Sequence, residues 1–341
     1  RSLPCQKNLG DQMIGLVGQN LLRFASSVGV GFGLWFSGAS VVADPMAGDQ
    51  LQVTDRALIP MVFYSTDSDR FQIQKTSLAW ASSYEDPTHL LKWSVDWRHY
   101  RQDAWQLDSQ QLGVSIRQED AYGLGYQASL AIHDFNDTQI LTTENRIGWR
   151  LSPQSVGEVL ILRDLVESQI GLISERTYVL LGGSVETQWN ERLSSVVYLD
   201  TRRFSDHNQR YTGKTKLILD ALPSQGVTLQ AWYQNVRNND TAASQSAYFN
   251  PARYEESLLV VGVRKRFQNH HLRFRAGAGT QQVAETGPSR AQFSDVILES
   301  TDARDWVWRM TAGYRLSAGV NEDPNYRYRY GGIELIIPWS Q

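Results

Sequence analysis

The residues that could do chemistry in this chain fall into three groups, and the first is histidine. A hydrolytic site needs a nucleophile or an activated water beside a base that a third group orients. The local groupings on offer are His133 with Asp134 and His270 with His271, and neither has a nucleophile at recognisable spacing. Neighbours on an extended strand project to opposite faces, so His133 and Asp134 do not converge. With Cys5 as the lone cysteine and no metal-type spacing of Cys and His, no metal or other cofactor is implied. The second group is arginine, at alternate positions in the last third: Arg264, Arg266, Arg273, Arg275, Arg309, Arg315, Arg327 and Arg329. Guanidinium groups fork onto carboxylates and phosphates, and a row of them along a watery passage favours anionic cargo. Carboxylates across the same space, Asp96, Asp200 or Asp220, would instead turn the row into a structural network. The third group is Tyr248, Phe249 and Tyr254 around Asn250 and Pro251. Aromatic faces beside hydrogen-bonding neighbours suit a sugar ring, whose face is apolar and whose rim is hydroxylated. The plainer reading is local: Pro251 shapes a loop, and Asp206 and Asn208 satisfy their own turn.

What must position these groups is strand. Leu91, Trp93, Val95, Trp97 and His99 alternate with Lys92, Ser94, Asp96 and Arg98. Tyr126, Ala128, Leu130 and Ile132 alternate with Gln127, Ser129, Ala131 and His133, and Trp306, Trp308 and Met310 alternate with Val307 and Arg309. This period of two runs from Asp44 to the end, with no sustained helical period against it. Turn clusters such as YEDPT at 84–88, SDHNQ at 205–209 and NEDPN at 321–325 separate the runs. The spacing, roughly 18 residues per strand and turn, predicts an all-β fold: a transmembrane, antiparallel, up-and-down β-barrel of about sixteen strands. Arg, Lys, Asp, Gln and Gly recur opposite the greasy positions, as in a barrel with lipid outside and water within. A bilayer cannot hydrogen-bond a sheet edge, so the last run must close on the first. That run, NYRYRYGGIELIIPWSQ, predicts Tyr326, Tyr328 and Tyr330 in one interfacial belt and Trp339 in the other, with Arg327 and Arg329 in the lumen. Gly331 and Gly332 would mark a bulge that slips the phase by one. A secreted β-sandwich array or propeller is the water-soluble alternative, and no blade repeat near 40 residues supports it.

Composition points the same way. The 341 residues are 41% hydrophobic yet hold 11 Trp, 15 Tyr and 11 Phe, side chains suited to an oil–water boundary. A net charge of −3 gives no footprint for nucleic acid. The first methionine is Met13, so residues 1–12 read as upstream sequence. Residues 13–43 read as a secretory signal peptide, with Arg23, an apolar stretch from Ala25 to Phe36 and small residues ending at Ala43. That apolar stretch is shorter than the roughly 20 residues a membrane anchor needs. Residues 44–341 are then one barrel domain.

The stretch from Phe204 to Phe267 resembles a segment of exopolysaccharide-export outer-membrane barrels: the poly-N-acetylglucosamine export porin, the cellulose export subunit and YaiO-type barrels. The resemblance rests on the Phe-Ser-Asp-x-Asn turn at 204–208, a strand pair, and Tyr-Phe-Asn-Pro at 248–251 followed by Arg253, Tyr254 and the run to Val263. It implies a sixteen-stranded pore in the cell outer membrane that passes a growing polysaccharide. The partners implied are outer-membrane lipid, the saccharide, the barrel assembly machinery and periplasmic export components. The tetratricopeptide repeats that precede the larger members' barrels are not seen here, so the small lone barrels are the nearer resemblance. A general diffusion porin, a surface receptor barrel and, further off, an envelope enzyme are the alternatives. The long segments near 165–176 and 237–250 are the candidates for loops that fold inward.

Overall fold

The computed structural model describes residues 21–25, 34–38 and 56–339, apart from 121–122, 136–137, 242–246, 285, 301–305 and 320–324. The expected upstream segment 1–12, most of the expected signal peptide and its cut before Asp44 lie outside the described residues. Two short strands, β1 (Leu21–Ala25) and β2 (Leu34–Gly38), pair with each other apart from the main sheet. Sixteen further strands follow. They are β3 (Arg56–Asp67), β4 (Gln72–Asp86), β5 (His89–Gln102), β6 (Trp105–Glu119), β7 (Gly125–Phe135), β8 (Thr138–Ser152), β9 (Ser155–Leu165) and β10 (Thr177–Gln188). The second half comprises β11 (Leu193–Phe204), β12 (Gln209–Leu222), β13 (Val227–Asn238), β14 (Arg253–Phe267), β15 (His270–Val283), β16 (Ser289–Ser300), β17 (Val307–Ser317) and β18 (Tyr326–Trp339). Each pairs antiparallel with its sequence neighbours, and β18 closes on β3, giving the up-and-down barrel that the alternation predicts.

The two faces are inverted relative to a water-soluble sheet. Leu259 is 75% exposed, Leu112 64% and Trp93 53%, whereas the inward Arg146 and Glu158 are 5% and 4% exposed. Large apolar side chains ring the outside on nearly every strand, a surface that only a hydrocarbon environment satisfies. β3 begins and β18 ends at the same end of the barrel, called here the near end, where the connections are short. The longest connections, 166–176 and 239–252, lie at the far end. Trp149, Trp189, Phe267 and Trp339 stand exposed near the near rim, and Tyr64, Tyr211 and Tyr233 stand exposed toward the far rim.

β18 departs from its sequence reading. Its register with β17 runs unbroken from Tyr326 opposite Ser317 to Ile336 opposite Val307, so the glycine pair makes no bulge. The pleat therefore keeps one parity along the whole strand. Tyr326 and Tyr328, with Tyr330 in phase, face inward with Ile336, and Arg327 and Arg329 face outward and are exposed. The phenols have apolar partners inside: Tyr326 and Tyr328 pack with Val236, Phe249, Tyr254 and Val283, and Tyr330 stacks on Phe63. Register breaks occur instead on β4, β8 and β12 close to the near rim.

Candidate functional site: a plugged mouth over a charged lumen

Two loops fold into the far mouth. The first, between β9 and β10, carries the short helix α1 (Gln169–Ile173), N-capped by Ser168, whose hydroxyl accepts from the Gly171 amide at 2.9 Å. Leu165 and Leu172 enter a cluster with Phe71, Tyr100, Leu107, Phe135 and Ile140 on the inner wall. Glu167 accepts from Arg98 at 2.5 Å and from the Tyr100 hydroxyl at 3.0 Å, which fixes the loop to β5. The second loop, between β13 and β14, brings in Tyr248 and Phe249. The Ser168 hydroxyl donates to the Ala247 carbonyl at 2.5 Å, so the two loops are tied to each other.

The β11–β12 turn is the receiver for the second loop. Asn208 donates from one side-chain nitrogen to the Tyr248 hydroxyl at 3.0 Å and to the Asn250 side-chain oxygen at 2.8 Å. The Tyr248 hydroxyl in turn donates to Asp206, with oxygens at 3.0 and 3.1 Å. Burial pushes the Tyr248 phenol up from its ordinary range, so it remains a donor at neutral pH. Its ring stacks on Phe204 at 4.0 Å between centroids, and the Arg210 guanidinium lies 5.1 Å from the Phe204 ring and 5.5 Å from the Tyr248 ring. Arg210 also donates to Asn238 at 2.9 Å and to the Phe249 carbonyl. Phe249 meets Tyr254 edge-on at 5.3 Å, and the Tyr254 hydroxyl donates to Glu256 at 2.9 Å.

The rings expected to offer a platform to a sugar, Tyr248, Phe249 and Tyr254, are packed away in this conformation. The three rings are 1%, 2% and 1% exposed, and their faces and edges are taken by Phe204, Arg210 and one another. In this conformation they build a plug. Asp206 and Asn208 satisfy their own turn, as the local reading has it, and they also hold the neighbouring loop.

Beneath the plug the lumen is lined by charge. Of the eight arginines expected there, Arg264, Arg266, Arg273, Arg275, Arg309 and Arg315 lie on the inward parity of β14, β15 and β17. Arg327 and Arg329 do not, for the reason given for β18. Arg275 forks onto Asp295, with contacts of 2.5 and 3.0 Å. Arg309 holds Glu299 at 2.9 Å and Arg315 holds Glu256 at 2.6 Å. The opposite wall repeats the pattern, with Lys75 on Asp96 at 2.8 Å and Arg117 and Arg146 sharing Glu119. For these cations the compensation is local, from the same strand or from strands one to three places away. Asp96 compensates Lys75 and Asp200 compensates Arg202 at 3.3 Å. Many of the inward charges, from Glu119 and Arg210 at 3% to Arg315 at 9% exposure, are packed among other side chains inside the barrel. His133 is buried inward and the exposed Asp134 points outward, as strand parity requires.

Sequence reasoning missed Arg210, Arg98, Glu167 and Ser168, which assemble the plug. The length of the two loops was the available signal; which polar groups would receive them was not.

A closed sixteen-stranded antiparallel barrel with an apolar exterior and a charged interior defines the class: an outer-membrane β-barrel. Among solved structures the fold is similar to one described as a bacterial polysaccharide outer membrane secretin, at TM-score 0.64 and 14% identity, covering 84% of this chain and 99% of that one. It is also similar to the outer membrane protein OprD from Pseudomonas aeruginosa, at TM-score 0.43 and 7% identity, covering 86% and 96%. CdiB from Acinetobacter baumannii gives TM-score 0.46 and 9% identity, covering 84% of this chain and 60% of that one. At these identities the likeness is one of architecture. No family model matches the chain, and no curated protein matches it.

Proposed function

We propose that this barrel is an outer-membrane pore for a saccharide polymer, closed at rest by the two far-end loops. The observation that carries the reading is the nature of the closure: the plug is held by hydrogen bonds and aromatic packing among Ser168, Ala247, Asn208, Asp206 and Tyr248, contacts that reopen without breaking a covalent bond. Beneath it the walls present hydroxyls, amides and paired charges, the groups along which a hydroxylated chain exchanges hydrogen bonds. The likeness to a polysaccharide secretin over 99% of that chain supports the saccharide part of the reading. Outer-membrane barrels carry short periplasmic turns and longer outer loops, which assigns the plugged end to the outside.

On this reading Tyr248, Phe249 and Tyr254 become sugar-stacking surfaces when the second loop swings away from Phe204 and Arg210. The inward wall of β12 to β17 carries Lys214, Lys216, Arg264, Arg266, Arg273, Arg275, Arg309 and Arg315 against Asp220, Glu256, Asp295 and Glu299, a surplus of cations that persists with the ion pairs formed and favours anionic chains or anions that accompany them. Planar-bilayer conductance tests both parts. The intact protein is expected to conduct poorly, and a variant carrying Glu167→Gln, Ser168→Ala, Asp206→Ala and Asn208→Ala, which unties both loops and keeps Tyr248 and Phe249, to conduct steadily and be blocked by added oligosaccharides. An untied barrel that stays silent would end the pore reading; one that conducts without oligosaccharide block would end the saccharide reading and leave a diffusion porin. Reversal potentials in a salt gradient check the wall, for which cation preference is the contrary result.

A further inference from the structure

Arg327 and Arg329, which sequence reading places in the lumen, belong to a larger set outside it. Among the described residues, Arg101 on β5, Arg163 on β9, Arg203 on β11, Arg237 on β13, Arg253 on β14 and Arg290 on β16 are likewise exposed and lie on the outward parity of their strands. Each lies within three residues of the far end of its strand. Arg237 and Arg253 are direct register partners on adjacent strands. The acids sharing that face near that end are Asp108, Asp134 and Glu255; Asp108 is engaged by His99 at 2.7 Å and Glu255 by Arg253 at 2.6 Å. The near rim is different in kind. Trp149, Trp189, Phe267 and Trp339 dominate it, and the strand charges outside are Arg56, Glu85 and Lys265, of mixed sign.

We infer that this arginine collar binds the phosphate-bearing headgroups of lipids in the leaflet at the far end. The position selects the ligand. These arginines continue the lipid-facing side of the strands above exposed apolar residues, Ile161 next below Arg163 and Ile333 beyond Gly331 below Arg329, so what they meet is the headgroup layer of the same bilayer. Guanidinium is the side chain whose planar fork matches phosphate. An anionic surface attracts each such cation, and the attraction fades within a Debye length, so salt weakens it. The one-sided placement fits a bilayer whose two leaflets differ in charge.

The test uses the full chain in dodecylmaltoside micelles, titrated with diphosphorylated lipid A, with the same lipid after enzymatic dephosphorylation, or with inorganic phosphate. Binding is read by native mass spectrometry and by the shift in Tm. The phosphorylated lipid is expected to bind and raise Tm, and the other two probes to do neither. A variant carrying Arg237→Gln, Arg253→Gln, Arg327→Gln and Arg329→Gln should lose about 100-fold or more in apparent affinity, while Glu85→Gln with Lys265→Gln at the near rim should change nothing. Should the fourfold variant fail to fold, Arg327→Gln with Arg329→Gln makes the same comparison. Equal binding of the dephosphorylated lipid, the same stabilisation by inorganic phosphate, or undiminished binding by the variant would each overturn the assignment.

Discussion

Tyr248 shows how much one hydroxyl can organise. It accepts from Asn208 and donates to Asp206, so Tyr248→Phe removes both bonds while keeping the stack on Phe204. The expected cost to loop closure is about 1 kcal/mol, enough to raise the open fraction several-fold, and limited proteolysis at the second loop should speed up accordingly. Arg315 and Glu256 make a sharper case, because both side chains are buried, at 9% and 5% exposure, and lie 2.6 Å apart. Arg315→Ala strands a carboxylate and is expected to lower stability by about 3 kcal/mol in a denaturant titration, and adding Glu256→Leu should restore much of it. If the second change brings no recovery, the pair is not the source of the loss.

Between strands, small and large inward residues interlock. A Cβ at Gly313 would lie 2.4 Å from the Tyr330 ring, and one at Gly277 would lie 2.5 Å from the Phe293 ring, so each glycine is the floor on which a cross-strand aromatic rests. Gly313→Val therefore must displace Tyr330 from its place beside Phe63. The expected result is a destabilisation of roughly 1–3 kcal/mol, visible as a lower unfolding midpoint, with Gly313→Ala intermediate. An unchanged midpoint for Gly313→Val would mean that Tyr330 has room elsewhere. The same strand carries the lesson of β18: alternation identified two faces, but which face was inside depended on whether the glycine pair broke the register.

For the whole molecule, the decisive property is that hydrocarbon lies outside and charge within. Leu259 stands 75% exposed at the middle of β14. Leu259→Arg is expected to cost about 2–4 kcal/mol in folding into lipid bilayers, the depth-dependent cost of a cation against lipid, whereas Lys265→Arg near the strand end should cost almost nothing. On a water-facing surface neither would matter. Trp93 and Trp97, exposed on the outer band, should likewise be quenched by brominated lipid tails.

The barrel, its strand number and the phase of most strands were legible in the sequence because a bilayer-spanning strand writes its two environments into alternate residues, and those local patterns need no knowledge of partners. Leu91 to His99 and Leu272 to Arg275 were readable in that way. The site was less so. Whether Tyr326 faces lipid or lumen, whether Tyr248 is open or stacked on Phe204, and whether Arg315 is unpaired or locked to Glu256, a residue 59 positions away, depend on register and on long-range neighbours. Only closure of the sheet and the inward fold of two loops fix those neighbours, since a side chain's parity is set by its own strand but its partner is set by all the others.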